Sequence, residues 1–113
     1  MPYIHITTNT HIPDNAEELL KTQLGHAIGI IPGKSEAWLM VSFTDEARLW
    51  FAGSDAPAAL AEVSVYGGAQ ADAYDDLTSR ITEILEGALD IAPDRVYVKY
   101  TETEHWGWNG RNF

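Results

Sequence analysis

The chain writes one pattern twice, and that repetition limits the folds open to it. In the first half, Pro2 to Thr8 alternates apolar and polar side chains as a half-buried strand does. Asn9 to Pro13 is a loop. Asp14 is placed to cap a helix, with Glu17 at the capping-box position. Leu19, Leu20, Leu24, Ala27 and Ile28 then set an apolar stripe at helical spacing. Gly29 predicts the end of that helix, Ile31-Pro32-Gly33-Lys34 a turn, and Ala37 to Phe43 a second strand. Thr44 to Ala47 predicts a turn, Arg48 to Phe51 a short returning strand, and Ala52 to Pro57 a loop. The pattern then restarts. Leu60 to Tyr66 reads as a strand, Gly67-Gly68 as a turn, and residues 71–89 as a helix with Tyr74, Leu77, Ile81, Ile84, Leu85 and Ala88 on one face. Asp90 to Asp94 is a turn, and Arg95 to Thr101 a last long strand. The tail from Glu102 to Phe113 carries Trp106-Gly107-Trp108-Asn109-Gly110.

Two strand-helix-strand units predict an α+β fold, a four-stranded mixed sheet with both helices on one face. A length of 113 residues suffices for a single domain spanning 1–113 with one modest core. The second strand is apolar on both faces, yet two helices cover one face only. Self-association is the simplest cover for the other.

Composition removes several classes of function. The formal net charge of −10, from 17 acidic and 7 basic residues, argues against nucleic acid and anionic membranes as partners. The absence of cysteine excludes disulfides, thiolate metal sites and thiol catalysis. His5, His11, His26 and His105 show no metal-ligand spacing, so neither a metal nor a cofactor is expected. No apolar run is long enough to span a bilayer. No cationic segment followed by an apolar stretch opens the chain, so a cytoplasmic location is expected.

The chemistry concentrates at the second residue. Initiator methionine is commonly removed before proline, which would expose Pro2 as a secondary amine at the start of a strand. A free α-amino group titrates at about 7.7–8. Burial or a nearby cation disfavours its charged form and lowers that value, leaving a usable base near neutral pH. Such a base can move a proton between a carbon and a neighbouring carbonyl oxygen, and a nearby cation helps that oxygen as it gains charge. Lys34 is the candidate cation. The aromatics Trp38, Tyr97, Trp106, Trp108 and Phe113 could wall an aryl group.

Several of these residues recur together in one family. The chain resembles the macrophage migration inhibitory factor branch of the tautomerase superfamily. The resemblance rests on Met1-Pro2 opening a strand, Lys34 before the second strand, and Gly67-Gly68-Ala69-Gln70 with Tyr74 at the second helix. It continues through Pro93-Asp94-Arg95-Val96-Tyr97 and Gly107-Trp108-Asn109 to the terminal Phe113, in order along the whole chain. The resemblance implies a homotrimer whose sheets pack inward, with active sites at subunit boundaries. It also implies keto-enol tautomerisation of phenylpyruvate-like 2-keto acids and dopachrome-like compounds. By family position, Pro2 is the base and Lys34 binds the substrate. Val63 offers its backbone N–H, and Tyr97 reaches in from a neighbouring subunit.

The sequence departs from the family pattern in places. Lys99 stands where better-known members carry an asparagine lining the site, so it is a second candidate cation for the substrate. Trp38 replaces a tyrosine at the pocket mouth. The segment around Asp55 to Leu60 lacks the cysteines of some animal members. Two other readings fit the same residues. One is a signalling protein with a vestigial pocket and a protein receptor, as animal members are cytokines. The other is a small-acid dehalogenase or decarboxylase, which would use Lys34 with Lys99 as a cationic pair.

Overall fold

A computed structural model describes all 113 residues. Strand β1 (Pro2–Thr8) leads into helix α1 (Asp14–Ala27), and strand β2 (Met40–Thr44) closes the first unit. Strand β3 (Ala59–Tyr66), helix α2 (Ala71–Leu89) and strand β4 (Val96–Thr103) form the second. A hairpin of β5 (Gly107–Trp108) and β6 (Arg111–Asn112) ends the chain. The sheet order is β2-β1-β3-β4. β1 and β2 are parallel, β3 and β4 are parallel, and the central pair β1–β3 is antiparallel. The sheet is therefore mixed, as the repeated pattern predicts.

Alternation along the strands decides which face meets the helices. Ile4, Ile6, Ala59, Ala61, Val63 and Val65 form one buried cluster with Leu20 and Leu24 of α1 and with Leu77, Ile81, Ile84 and Leu85 of α2. Both helices thus pack on the same face. The opposite face carries Tyr3, Met40, Leu60, Tyr66 and Tyr97 beside His5, Thr7, Ser42, Thr44, Glu62, Ser64, Lys99 and Thr101. That face mixes polar and apolar groups. The apolar run from Ala37 is not one strand. Glu36–Trp38 forms a 3₁₀ turn, with Trp38 N–H donating to Ser35 O at 3.2 Å and Leu39 N–H to Glu36 O at 3.1 Å. The strand begins only at Met40, and it turns Val41 and Phe43 toward the core and Ser42 and Thr44 away. No helix covers that face, and two exposed apolar side chains, Met40 and Tyr97, lie on it, which agrees with the expected self-association. Trp38, Trp50, Trp108 and Phe113 are exposed outside the four strands.

Three local expectations are corrected. Asp14 does not cap α1. Pro13 is the cap residue, its carbonyl accepts the Glu17 N–H at 2.9 Å, and Asp14 is the first helical residue. There the carboxylates of Asp14 and Glu17 favour the positive end of the helix. The helix ends at Ala27 and continues as a 3₁₀ turn over Ile28–Ile30, so Gly29 lies within that turn. Arg48 to Phe51 forms no strand, since only an isolated bridge joins Phe51 to Ser54. Side chains satisfy this loop instead. Asn9 Nδ2 donates to Leu49 O, Asp55 O and Ala56 O, and Asn9 Oδ1 accepts from Ala58 N–H. The Arg95 guanidinium donates to the carbonyls of Phe51, Ser54, Ala56 and Pro57 and lies 5.2 Å from the Phe51 ring centre.

Ile81 is fully buried at the middle of α2. Ile81→Ala should cost about 3 kcal/mol of stability, read as a lower midpoint in chemical denaturation at fixed protein concentration.

Candidate active site

The site is built where the first residues of β1 meet the last residue of β3. The Tyr66 N–H donates to Met1 O at 3.0 Å, and Lys34 Nζ donates to Tyr66 O at 3.0 Å. One residue therefore holds both the N-terminus and the candidate cation. Lys34 reaches this point through a turn that its sequence dictates. Lys34 N–H donates to Ile31 O at 3.1 Å, with Pro32 and Gly33 between them. Gly33 has φ of 81°, which a type II turn requires at its third position and which glycine adopts without strain. Lys34 makes no ion pair with any carboxylate; its ammonium bonds the neutral Tyr66 carbonyl and lies beside the Met1 amine. The Met1 amine titrates below its ordinary value of 8.0. Burial is the main cause, followed by the charge of Lys34 and its hydrogen bond. Pro2 is itself buried and opens β1 opposite Val65.

A cleft of 460 Å³ opens beside these residues. Met1, Pro2 and Tyr3 line it from β1, Ala37, Trp38, Leu39 and Met40 from the 3₁₀ turn and β2, and Trp106, Gly107 and Trp108 from the tail. The tail is shaped by its hairpin. Asn109 and Gly110 have φ of 53° and 83°, the left-handed pair that a two-residue type I′ loop needs. The Phe113 N–H then donates to Trp106 O at 3.1 Å, which folds the last residue back. The Trp38 and Trp108 rings meet at right angles with centres 5.0 Å apart.

The other motif residues hold this arrangement in place. Tyr74 Oη donates to Glu102 Oε2 at 2.6 Å, and its ring packs on Tyr100. Burial and the Glu102 carboxylate push the Tyr74 phenol up to about 12. Gly67 takes φ of 79°, and its N–H donates to Thr103 O at 2.9 Å. A side chain at Gly68 would meet the Glu102 carboxylate. The Gly-Gly turn, Tyr74 and Glu102 thus fix the end of β4, from which the tail departs toward the cleft.

The structure brings Pro2, Lys34, Trp38, Trp106 and Trp108 to one place. Phe113 stands next to it, its ring 5.6 Å from that of Tyr66. Val63 is buried in the core, opposite Ile4 of β1 and Tyr100 of β4, and does not line the cleft of the single subunit. Tyr66 is the β3 residue whose backbone reaches the N-terminus, and its place as the last residue before Gly67-Gly68 is the sequence signal for it. Tyr97 and Lys99 lie elsewhere in the subunit. Tyr97 pairs with Leu60, five residues from the partner of Pro2 on β3, or about 17 Å along the strand. Its ring packs edge-on against Phe51 at 4.9 Å. Lys99 pairs with Glu62 on the face away from the helices, so Lys34 and Lys99 form no cationic pair within one subunit. His11 lies 3.3 Å from Asp45 and 3.5 Å from Glu46, an exposed ion-pair cluster on separate loops.

Replacing Lys34 removes both its charge and its hydrogen bond from beside the amine, while burial remains. Lys34→Ala should therefore raise the N-terminal pKa toward, but not above, its ordinary value. The pH dependence of amine acylation checks this, and the variant's curve should shift to higher pH.

Comparison with known proteins agrees with this geometry. The family model described as macrophage migration inhibitory factor (MIF) matches residues 1–113. The chain is 31% identical to macrophage migration inhibitory factor of Mus musculus over 121 aligned positions, covering 100% of this chain and 99% of the relative. The crystal structure of Leishmania major MIF2 superposes with a TM-score of 0.94 at 32% identity, covering 100% of this chain and 97% of that one. The homologue from Prochlorococcus marinus superposes with a TM-score of 0.84 at 25% identity, covering 98% of each chain. The trimer is the typical assembly of this fold family. No helix is long and apolar enough to cross a membrane. By its sequence over its whole length and by its fold, the chain belongs to the macrophage migration inhibitory factor family of the tautomerase superfamily.

Proposed function

We propose that this protein is a cofactor-independent keto-enol tautomerase of phenylpyruvate-like 2-keto acids. Its base is the amine of Pro2, freed by removal of Met1. The observation that carries this reading is the buried chain start, beside the Lys34 ammonium, at an aromatic cleft. In the forward direction the neutral proline nitrogen takes a proton from the β-carbon, and charge moves to the C2 oxygen. The proline ammonium returns a proton to that oxygen, giving the enol with no net gain or loss. Lys34 holds the substrate carboxylate, and its charge keeps the amine neutral before reaction. The aryl group lies against the tryptophans of the cleft.

A cyclic trimer completes the site. The apolar groups at the cleft and around Trp50 and Tyr97 are different surfaces, so joining one to the other is head-to-tail contact, the kind from which a closed ring is built. Tyr97 and Lys99 of a neighbouring subunit then reach the cleft mouth, which their own subunit does not let them do. Lys99 adds a second cation for the carboxylate there.

Pro2→Gly keeps a terminal amine but makes it primary and more mobile. Phenylpyruvate tautomerisation, measured as kcat/KM on untagged protein with Met1 shown absent by mass spectrometry, should fall by at least about tenfold in this variant. Burial and the Lys34 charge, which lower the Met1 amine, would act in the same sense on a freed Pro2 amine, so activity in the parent should rise with pH through neutrality and then level off. Equal activity in both proteins would remove Pro2 as the base.

A further inference from the structure

The tail hairpin brings one more side chain to the cleft, and its turn decides which. Asn109 and Gly110 form the two-residue loop, so Trp108 and Arg111 stand directly opposite each other as its closing pair. Opposite residues of an antiparallel pair turn their side chains to one face, with Cβ atoms about 5 Å apart. Trp108 turns to Trp38 and the cleft, so Arg111 leaves the hairpin on the cleft side. The hairpin also sets how far out Arg111 lies. Phe113 packs on Tyr66, whose carbonyl holds Lys34, and Arg111 is two residues nearer the turn. Lys34 therefore stands at the inner end of the cleft and Arg111 at the outer end.

Charge gives this placement its meaning. The chain has 17 acidic side chains, and none of them lines the cleft. Its cations are few and mostly occupied. Lys21 and Arg80 pair with carboxylates on their own helices, and Arg95 bonds loop carbonyls. Arg111 is exposed and forms no ion pair with any carboxylate. In the proposed ring, Lys99 of a neighbouring subunit adds a further cation at the cleft mouth. It too forms no ion pair, although Glu62 faces it in the sheet. An apolar cleft with a cation at each end, set in a molecule of net charge −10, suits a ligand with an anion at each end. A guanidinium grips a carboxylate through two parallel hydrogen bonds, which a lone ammonium does not.

We propose that the site takes 2-keto acids carrying a second carboxylate at the end remote from the keto group, with Arg111 as its anchor. This rests on the tautomerase reading above and narrows its substrate class to dianions. Lys34 holds the carboxylate beside the keto carbon in either case, so the difference between a dianion and a monoanion lies at the outer end alone.

The test compares kcat/KM for 4-carboxyphenylpyruvate and phenylpyruvate, each divided by its uncatalysed rate, on the assembled, Met1-free protein. The same ratio is measured on Arg111→Gln, Arg111→Lys and Lys99→Asn. Calorimetry compares the unreactive acids 4-carboxyphenylacetate and phenylacetate. Arg111 is outside the buried core cluster, and circular dichroism and sedimentation check that the variants fold and assemble as the parent does. The expected result is a preference of about fivefold for the dianion, as one exposed but bidentate ion pair supplies. It should fall to about one in Arg111→Gln, stay above one in Arg111→Lys and shrink as salt is raised. A ratio of one or less in the parent, or a ratio unchanged in Arg111→Gln, overturns the proposal and leaves the tautomerase reading standing. A preference lost in Lys99→Asn and kept in Arg111→Gln overturns Arg111 as the anchor. If neither keto acid is turned over, that reading fails and the two acetates decide. Tighter binding of the dianionic acid, lost in Arg111→Gln, supports the anchor, and equal binding overturns it.

Discussion

The hydrogen bond from Lys34 Nζ to the Tyr66 carbonyl, next to the pairing of Pro2 with Val65, fixes the arrangement on which the site depends. It ties the turn before β2 to the end of β3, beside the start of β1. Such a bond is modest, on the order of 1 kcal/mol net. Its value is positional. It places a cation beside the buried start of β1, where burial and that cation both disfavour the charged form of an amine. The net charge of −10 sharpens the point. In a chain with so many carboxylates, a lysine with no carboxylate partner remains free to meet an anion.

Most other motif residues serve this arrangement from a distance. Tyr74 and Glu102 fix the end of β4, and the tail carries Trp106 and Trp108 from there to the cleft. Arg95 gathers four carbonyls of the loop that supports Phe51, and Phe51 supports the Tyr97 ring. The chain thus prepares two ends of one sheet, one with the amine and one with Tyr97. Neither end is a whole site by itself under the proposed mechanism.

The repeated unit was legible because period and length agreed. β1, α2 and most of β4 fall where alternation and the Leu77-Ile81-Ile84-Leu85 stripe place them. Pro32-Gly33 announced the turn that aims Lys34. The failures share a cause, which is that hydrophobicity reports burial better than backbone shape. Ala37-Trp38-Leu39 looks like strand, but those side chains line a cleft from a 3₁₀ turn. Arg48 to Phe51 looks like strand, but Asn9 and Arg95 satisfy the loop it belongs to. Tyr97 lies several residues along the sheet from its own cleft, as a residue expected to reach in from a neighbouring subunit would, and Lys99 lies on the same face.

Alkylation by 3-bromopyruvate, an electrophilic keto acid, tests the central claim most directly. Untagged protein lacking Met1 would be treated near neutral pH, and the adduct mapped by mass spectrometry of its peptides. The account predicts one adduct per chain, on the Pro2 nitrogen, slowed by phenylpyruvate and by Lys34→Ala. Modification spread over lysines with Pro2 untouched would contradict it, because a neutral, accessible proline amine beside Lys34 would then not exist.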